Sequence, residues 1–202
     1  MNTNLSDLSE KEISERLAAA SVPTDGPYPD GLLKDSLRSA AVLIPFVRVE
    51  SEWHLLLIRR AEHDDDFHSG QVAFPGGGAH PGDPDPESTA LRETFEEIGI
   101  LPQDVRLLGR LNEFVTISSY LVTPIVGVIP WPYPFKIAHD EVSRVFTIPI
   151  EWLADPANSE VRLRELPPPY QPISVIYFRP YDGEVLWGAS ARFTKGLLSI
   201  LR

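Results

Sequence analysis

Residues 76–100 read GGGAHPGDPDPESTALRETFEEIGI. Gly76, Gly77 and Gly78 lead through a loop rich in proline and aspartate into a stretch with helical spacing. Asp85 is placed to cap that helix, Pro86 suits its first position, and Gly99 suits a left-handed end, so the pattern predicts a helix over 86–98. Glu93, Glu96 and Glu97 stand at i, i+3 and i+4 and share one face of it. Each like-charged pair at that spacing costs a few tenths of a kcal/mol, by order of magnitude, unless something neutralises it. Leu91, Thr94, Phe95 and Ile98 form the stripe expected to face a core. The acidic face has two readings. One is a solvated surface in which Arg92 pairs with its neighbours. The other is an all-oxygen site for a hard cation such as Mg2+ or Mn2+. Glycines without side chains before the helix let backbone carbonyls and amides approach a ligand closely.

Moving outward, residues 39–49 (SAAVLIPFVRV) and 53–60 (WHLLLIRR) are apolar runs expected as strands joined by a turn at 50–52. A short strand is expected at 71–74, entering Pro75 and the glycines. Beyond the helix, 105–115 and 120–129 read as two strands, 142–148 as another, and 150–153 as the start of a short helix. The segment 166–172 (LPPPYQP) excludes helix and central strand. Strands are expected at 173–178 and 185–187, and a closing helix over 188–201 turns Ala191, Leu197, Leu198 and Leu201 inward. Residues 7–20 suggest an N-terminal helix capped by Ser6 or Asp7. This is an α+β pattern, with a mixed β-sheet between helices. Residues 1–36 are read as a helical arm and 37–202 as one domain.

The 202 residues suffice for a sizeable core. No apolar run approaches the ~20 residues of a membrane span. The start of the chain lacks the pattern of a secretory signal, and the absence of cysteine fits a cytoplasmic protein. A net charge of −11 argues against nucleic-acid binding, so a phosphate-bearing partner needs local arginines or bound metal. Arg59 and Arg60, ending the second strand, are the nearest candidates. Trp131, Tyr133 and Phe135, in a proline-rich loop, are candidates for a homodimer contact or a substrate lid, against the plainer expectation that they pack down.

Several phosphate-binding and catalytic patterns fail on inspection. The chain has no GxxxxGK[ST], no GxGxxG after a strand, and no GxSxG. His63, His68 and His80 match no common zinc spacing. The carboxylate helix remains. Clustered glutamates holding Mg2+ or Mn2+ suit hydrolysis of a phosphoanhydride, with one carboxylate as general base and Arg92 orienting a neighbour.

GG followed by REUxEExGU, where U is aliphatic or small, is the signature of the Nudix hydrolases, and 92–100 resembles it position by position. Wider stretches resemble the coenzyme A pyrophosphatase subgroup: LLLIRR, HSGQVAFPGG (68–77), ALRETFEEIGI (90–100), SYLVTPIVGVIP (119–130), DEVSRVFTIPI (140–150) and LWGASA (186–191). The resemblance implies an α/β/α sandwich with a central mixed β-sheet, and metal-dependent cleavage of a nucleoside diphosphate derivative, a small-molecule nucleotide substrate. It implies that Glu93, Glu96 and Glu97 are metal ligands or base, that the Gly77 carbonyl is a further ligand, and that Glu141 is an additional acidic catalytic residue. Coenzyme A or a derivative is the implied substrate. ADP-ribose, nucleotide sugars and dinucleoside polyphosphates are alternatives, as is a module that senses a nucleotide without cleaving it.

Two departures stand out. The full signature has a glutamate in the loop before the helix; here Pro84 holds that place, between Asp83 and Asp85, and either aspartate is a candidate substitute. The coenzyme A subgroup expects a basic residue about three before His68. This chain has Asp64, Asp65 and Asp66 in that loop, which would repel the 3′-phosphate of coenzyme A.

Overall fold

The computed structural model describes residues 4–20, 36–62 and 69–202. The aspartate loop, with His63 and His68, lies outside the described residues. Strands β1 (Arg38–Val49) and β2 (Glu52–Arg60) form an antiparallel hairpin, closed by Glu50 and Ser51. Both turn residues have positive φ, 47° and 73°, which matches the right-handed twist of the flanking strands. The hairpin pairs only near its turn. β1 pairs with β2 over 46–49 and with β4 (Gly76–Gly78) over 40–42; β2 pairs with β1 over 52–55 and with β3 (Val72–Ala73) over 58–59. The two long strands therefore part, and 72–78 fills the gap. The three glycines are sheet backbone, beyond the short strand expected at 71–74.

The remaining edges of the hairpin are covered by β7 (Tyr120–Val128), parallel to β1, and β8 (Val142–Pro149), antiparallel to β2. The expected strand 105–115 is interrupted. β5 (Arg106–Arg110) and β6 (Phe114–Val115) both pair with β7 and are separated by residues 111–113, and β5 itself carries a register shift at Gly109, whose φ is 152°. A separate antiparallel pair, β9 (Ser159–Arg164) and β10 (Ile173–Phe178), completes the set. β9 was not expected from the sequence, because Val161 and Leu163 are 65% and 72% exposed and no buried alternation marks it. The expected strand at 185–187 is a single bridge between Trp187 and Tyr177.

Strand alternation divides the core between two helical layers. Ile44, Phe46, Leu55 and Leu57 face one side, with helices α1 (Glu10–Ala19), α3 (Ile150–Ala154) and α4 (Gly188–Leu201). Leu43, Val47, Leu56 and Ile58 face the other side, toward α2 (Pro86–Ile98). This is an α/β/α sandwich with a mixed sheet, as expected. The N-terminal cap is Ser9, not Ser6 or Asp7: its side chain accepts from the amide of Glu12, and the Glu12 carboxylate accepts from the amide of Ser9. Leu8, Ile13 and Leu17 are buried in the main core, and the indole of Trp53 donates to the Leu8 carbonyl at 2.7 Å. Residues 5–17 of the arm thus pack as part of the sandwich. Tyr133 and Phe135 pack against the α2-side core, and Tyr133 bridges the amide of Leu101 and the Asp104 carboxylate. Among the described residues, no helix is long and apolar enough to cross a membrane.

Candidate active site

Helix α2 carries the expected caps. The Asp85 side chain accepts from the amide of Ser88, Pro86 opens the helix, and Gly99 ends it at φ 74°. Its buried stripe differs from the expected one. Ala90, Thr94, Glu97 and Ile98 face inward, while Phe95 is 46% exposed. Glu97 shares that stripe because it stands three residues from Thr94 and seven from Ala90. The helix therefore buries a carboxylate where it meets the end of the glycine strand.

Glu97 is held at both oxygens. Its Oε2 accepts from the amide of Gly76 at 2.9 Å, and its Oε1 lies 3.9 Å from Arg60 Nη1. Burial pushes its carboxyl up to about 8; the Gly76 amide and Arg60 oppose that shift, while Glu93 and Glu141 add to it. The glycines make this approach feasible. A Cβ on Gly76 would lie 2.4 Å from the Ala41 carbonyl, and one on Gly77 2.5 Å from Glu93 Oε2.

Arg92 clamps the outer side of this arrangement. Nε donates to Asp83 at 3.1 Å, Nη1 to Glu93 at 2.9 Å and Glu96 at 2.8 Å, and Nη2 to Asp83 and the Gly78 carbonyl, both at 2.9 Å. These five bonds use every donor a guanidinium has. The paired Arg92 holds the Asp83 carboxyl far below the usual carboxylate range, aided by the His80 amide and Thr89 hydroxyl, and Asp83 raises Arg92 in turn. The two aspartates flanking Pro84 have separate tasks: Asp83 binds Arg92 and Asp85 caps the helix.

Glu93, Glu97, Glu141, Arg60 and the three glycines line one cleft of about 520 Å³. Arg59, on the opposite face of β2, turns away to Glu62 at 2.8 Å and Glu184 at 3.6 Å. Glu96 is half-exposed on Arg92 and does not line the cleft. Among the described residues, no three acidic or imidazole groups stand close enough to hold a metal ion as now arranged. The donor chemistry nevertheless fits a hard cation. Glu93 lies against Gly77 and the buried Glu97 accepts from the Gly76 amide, so two carboxylates meet the glycine backbone in one place, an all-oxygen donor set.

The far side of the cleft holds residues to which the sequence reading gave no role. Arg164, Ile173 and Val175 come from the β9–β10 pair, Trp187 from the turn before α4, and Tyr120 from the start of β7. The first turn of α4 also opens on the cleft, with no side-chain cap at Trp187. The sequence signals touching these residues were the stretches at 119–130 and 186–191 and the strand expected at 173–178, none of which carried a role.

Residues 37–167 match the NUDIX domain family. The chain belongs to the Nudix family. It is 40% identical over 178 residues to a protein of Yersinia pestis (strain Pestoides F) described as "Uncharacterized Nudix hydrolase NudL", covering 85% of this chain and 86% of that one. A relative of the same description in Yersinia pseudotuberculosis serotype O:1b (strain IP 31758) gives the same figures. Among solved structures, the chain is similar to a C. elegans Ap4A hydrolase binary complex, at 18% identity and TM-score 0.48 over 57% of this chain and 82% of that one. It is also similar to the NUDIX domain of Shewanella oneidensis NrtR complexed with ADP ribose, at 20% identity and TM-score 0.44 over 68% of this chain and 83% of that one. The chain is thus a Nudix pyrophosphohydrolase acting on nucleoside diphosphate derivatives, in a family that uses divalent metal cations. The Nudix match ends at residue 167, before β10, Trp187 and α4.

Proposed function

We propose that this Nudix hydrolase cleaves the diphosphate bond of coenzyme A or a close derivative, with Mg2+ or Mn2+ held by Glu93, Glu96, Glu97 and the Gly77 carbonyl. The observation that carries this reading is the asymmetry of the cleft. Glu93 and Glu97 reach it from α2, while Arg164, Trp187 and Tyr120 reach it from β9, the turn before α4 and the start of β7. A nucleotide diphosphate has matching parts: an anionic bridge that needs cations beside carboxylates, and a planar base that favours an aromatic surface. The wider motif resemblance across 68–77, 119–130 and 186–191 favours coenzyme A within that class.

When bound, a divalent cation neutralises the diphosphate and makes an attacking water more acidic. The chain's own residues do the rest. Arg92 holds Glu93 in place from outside the cleft, and Glu96 reaches the cleft by exchanging its bond to Arg92. Gly76 fixes Glu97 through its amide. One of these glutamates, or Glu141, accepts the proton of the water that adds to phosphorus. The bridging P–O bond breaks and the leaving phosphate departs with its charge. For coenzyme A the products are an adenosine bisphosphate and phosphopantetheine. The test is a panel of coenzyme A, ADP-ribose, a nucleotide sugar and a dinucleoside polyphosphate, with Mg2+ or Mn2+ and products separated by anion exchange. Turnover of coenzyme A to those two products is expected. Turnover of ADP-ribose without turnover of coenzyme A would sink the substrate assignment.

A further inference from the structure

Trp187 is anchored from three directions. Its ring stacks on Tyr177 with centroids 5.3 Å apart and planes 4° from parallel. Its backbone bridges Tyr177, and the adjoining Leu186 carbonyl accepts from the amide of Phe178 at 2.8 Å. Arg162 lies 4.6 Å over Tyr177, and Arg164 lies 6.0 Å from the Trp187 ring centre. Cross-strand pairing explains the grouping. Glu160 faces Tyr177, Arg162 faces Val175, and Arg164 faces Ile173, so all six side chains share one face of the β9–β10 pair. Arg164, Ile173 and Val175 of that face line the cleft, together with Trp187. The opposite face carries the exposed Val161 and Leu163.

With one face of the indole occupied by Tyr177, Trp187 gives the cleft a flat aromatic surface whose orientation is already set. A rigid ring in a cleft binds a planar partner at little entropic cost, and any nucleobase has a π-face to offer. Arg164 beside it supplies positive charge in a chain of net charge −11. We infer that Trp187, braced by Tyr177, is the stacking platform for the substrate's nucleobase, with Arg164 engaging an adjacent phosphate. This rests on the proposed nucleotide substrate and adds a specificity-determining residue to it, on a part of the chain beyond the family match.

The test needs no hydrolysis. Binding of adenosine 5′-monophosphate and of ribose 5-phosphate to the full chain is measured by calorimetry without metal. The two probes carry the same phosphate and differ in the base. Wild type is expected to favour the nucleotide by about tenfold or more, as stacking on one aromatic side chain allows. Trp187→Phe should keep most of that preference, and Trp187→Ala should reduce it to about twofold or less. Arg164→Ala should weaken both probes alike. Equal binding of the two probes by wild type, or a preference unchanged in Trp187→Ala, overturns the inference; circular dichroism confirms that each variant folds. The proposed substrate fails separately, through absent turnover in the panel while the base preference persists.

Discussion

The two walls of the cleft are built by different kinds of chemistry. The carboxylate wall is local in sequence: one helix, one short strand and the loop between them, all within 76–99. Its groups are fixed by short polar bonds, above all the five from Arg92. The far wall gathers residues between 116 and 190 through strand pairing and ring stacking. A wall clamped by hydrogen bonds suits reacting atoms, where small displacements are costly. A wall of stacked rings and arginines suits recognition, where the ligand's shape matters more than the position of one proton.

The largest effect distinguishing the walls should come from Glu97. Glu97→Gln keeps the bond from the Gly76 amide but removes the charge. Hydrolysis with Mg2+ should fall by about 10²–10⁴-fold, within the range attributed to a positioned acid–base group, while far-ultraviolet circular dichroism stays unchanged. A loss under threefold in steady-state rate would remove Glu97 from the chemistry.

Next is backbone packing. Gly76→Ala places a Cβ against the Ala41 carbonyl at a residue with φ 147°. It should destabilise the fold by about 2–4 kcal/mol in urea titration. Gly78→Ala meets nothing within 4 Å and should cost well under half as much.

Arg92→Lys probes the clamp. A lysine cannot reproduce the paired bonds to Asp83 while also holding Glu93 and Glu96. Metal affinity and turnover should each fall by about 10–100-fold, as is usual when a ligand loses its support. Titration calorimetry with Mn2+ reads the first and a product assay the second.

The pH dependence follows from burial of Glu97, whose folded carboxyl stands at about 8 against an ordinary 4.5. The folded state binds more protons than the unfolded state across that window, so stability is fully present below pH 4.5 and is lost as pH rises toward 8. Chelator-treated wild type should therefore lose stability relative to Glu97→Gln between pH 5 and 8 in parallel thermal melts. A flat difference would contradict the burial account.

The smallest effect separates the paired arginines. Arg59 points to Glu62 and Glu184, away from the cleft. Arg59→Ala should change kcat/KM by less than about twofold, because neither of its partners lines the cleft. Arg60→Ala should lower it by about tenfold or more, through its contact with Glu97.

The same contrast explains what the sequence made legible. The caps of α2, the spacing of its glutamates and the end at Gly99 are neighbour-to-neighbour effects, and each was readable from 85–99 alone. The burial of Glu97 in place of Phe95 was not readable, because the helix rotation depends on how β4 is wedged between β1 and β2. Arg59 and Arg60 looked equivalent in sequence, and strand alternation separates them only once the facing layers are known. β9 escaped notice because its outward Val161 and Leu163 and its inward arginines reverse the usual alternation. Trp187 stood in a quoted motif without a role: the turn at 181–183 that brings it back to Tyr177 was legible, but the stacking of the two rings and their place in the cleft depend on tertiary packing.

This division of labour between the two sets of residues is probed by a steady-state comparison of Glu97→Gln with Arg164→Ala on one nucleotide substrate with Mg2+. Glu97→Gln should lower kcat by at least about 10²-fold with KM within about threefold of wild type, whereas Arg164→Ala should raise KM by about tenfold with kcat within about threefold. Equal losses of kcat in both variants, or a change confined to KM for Glu97→Gln, would contradict it.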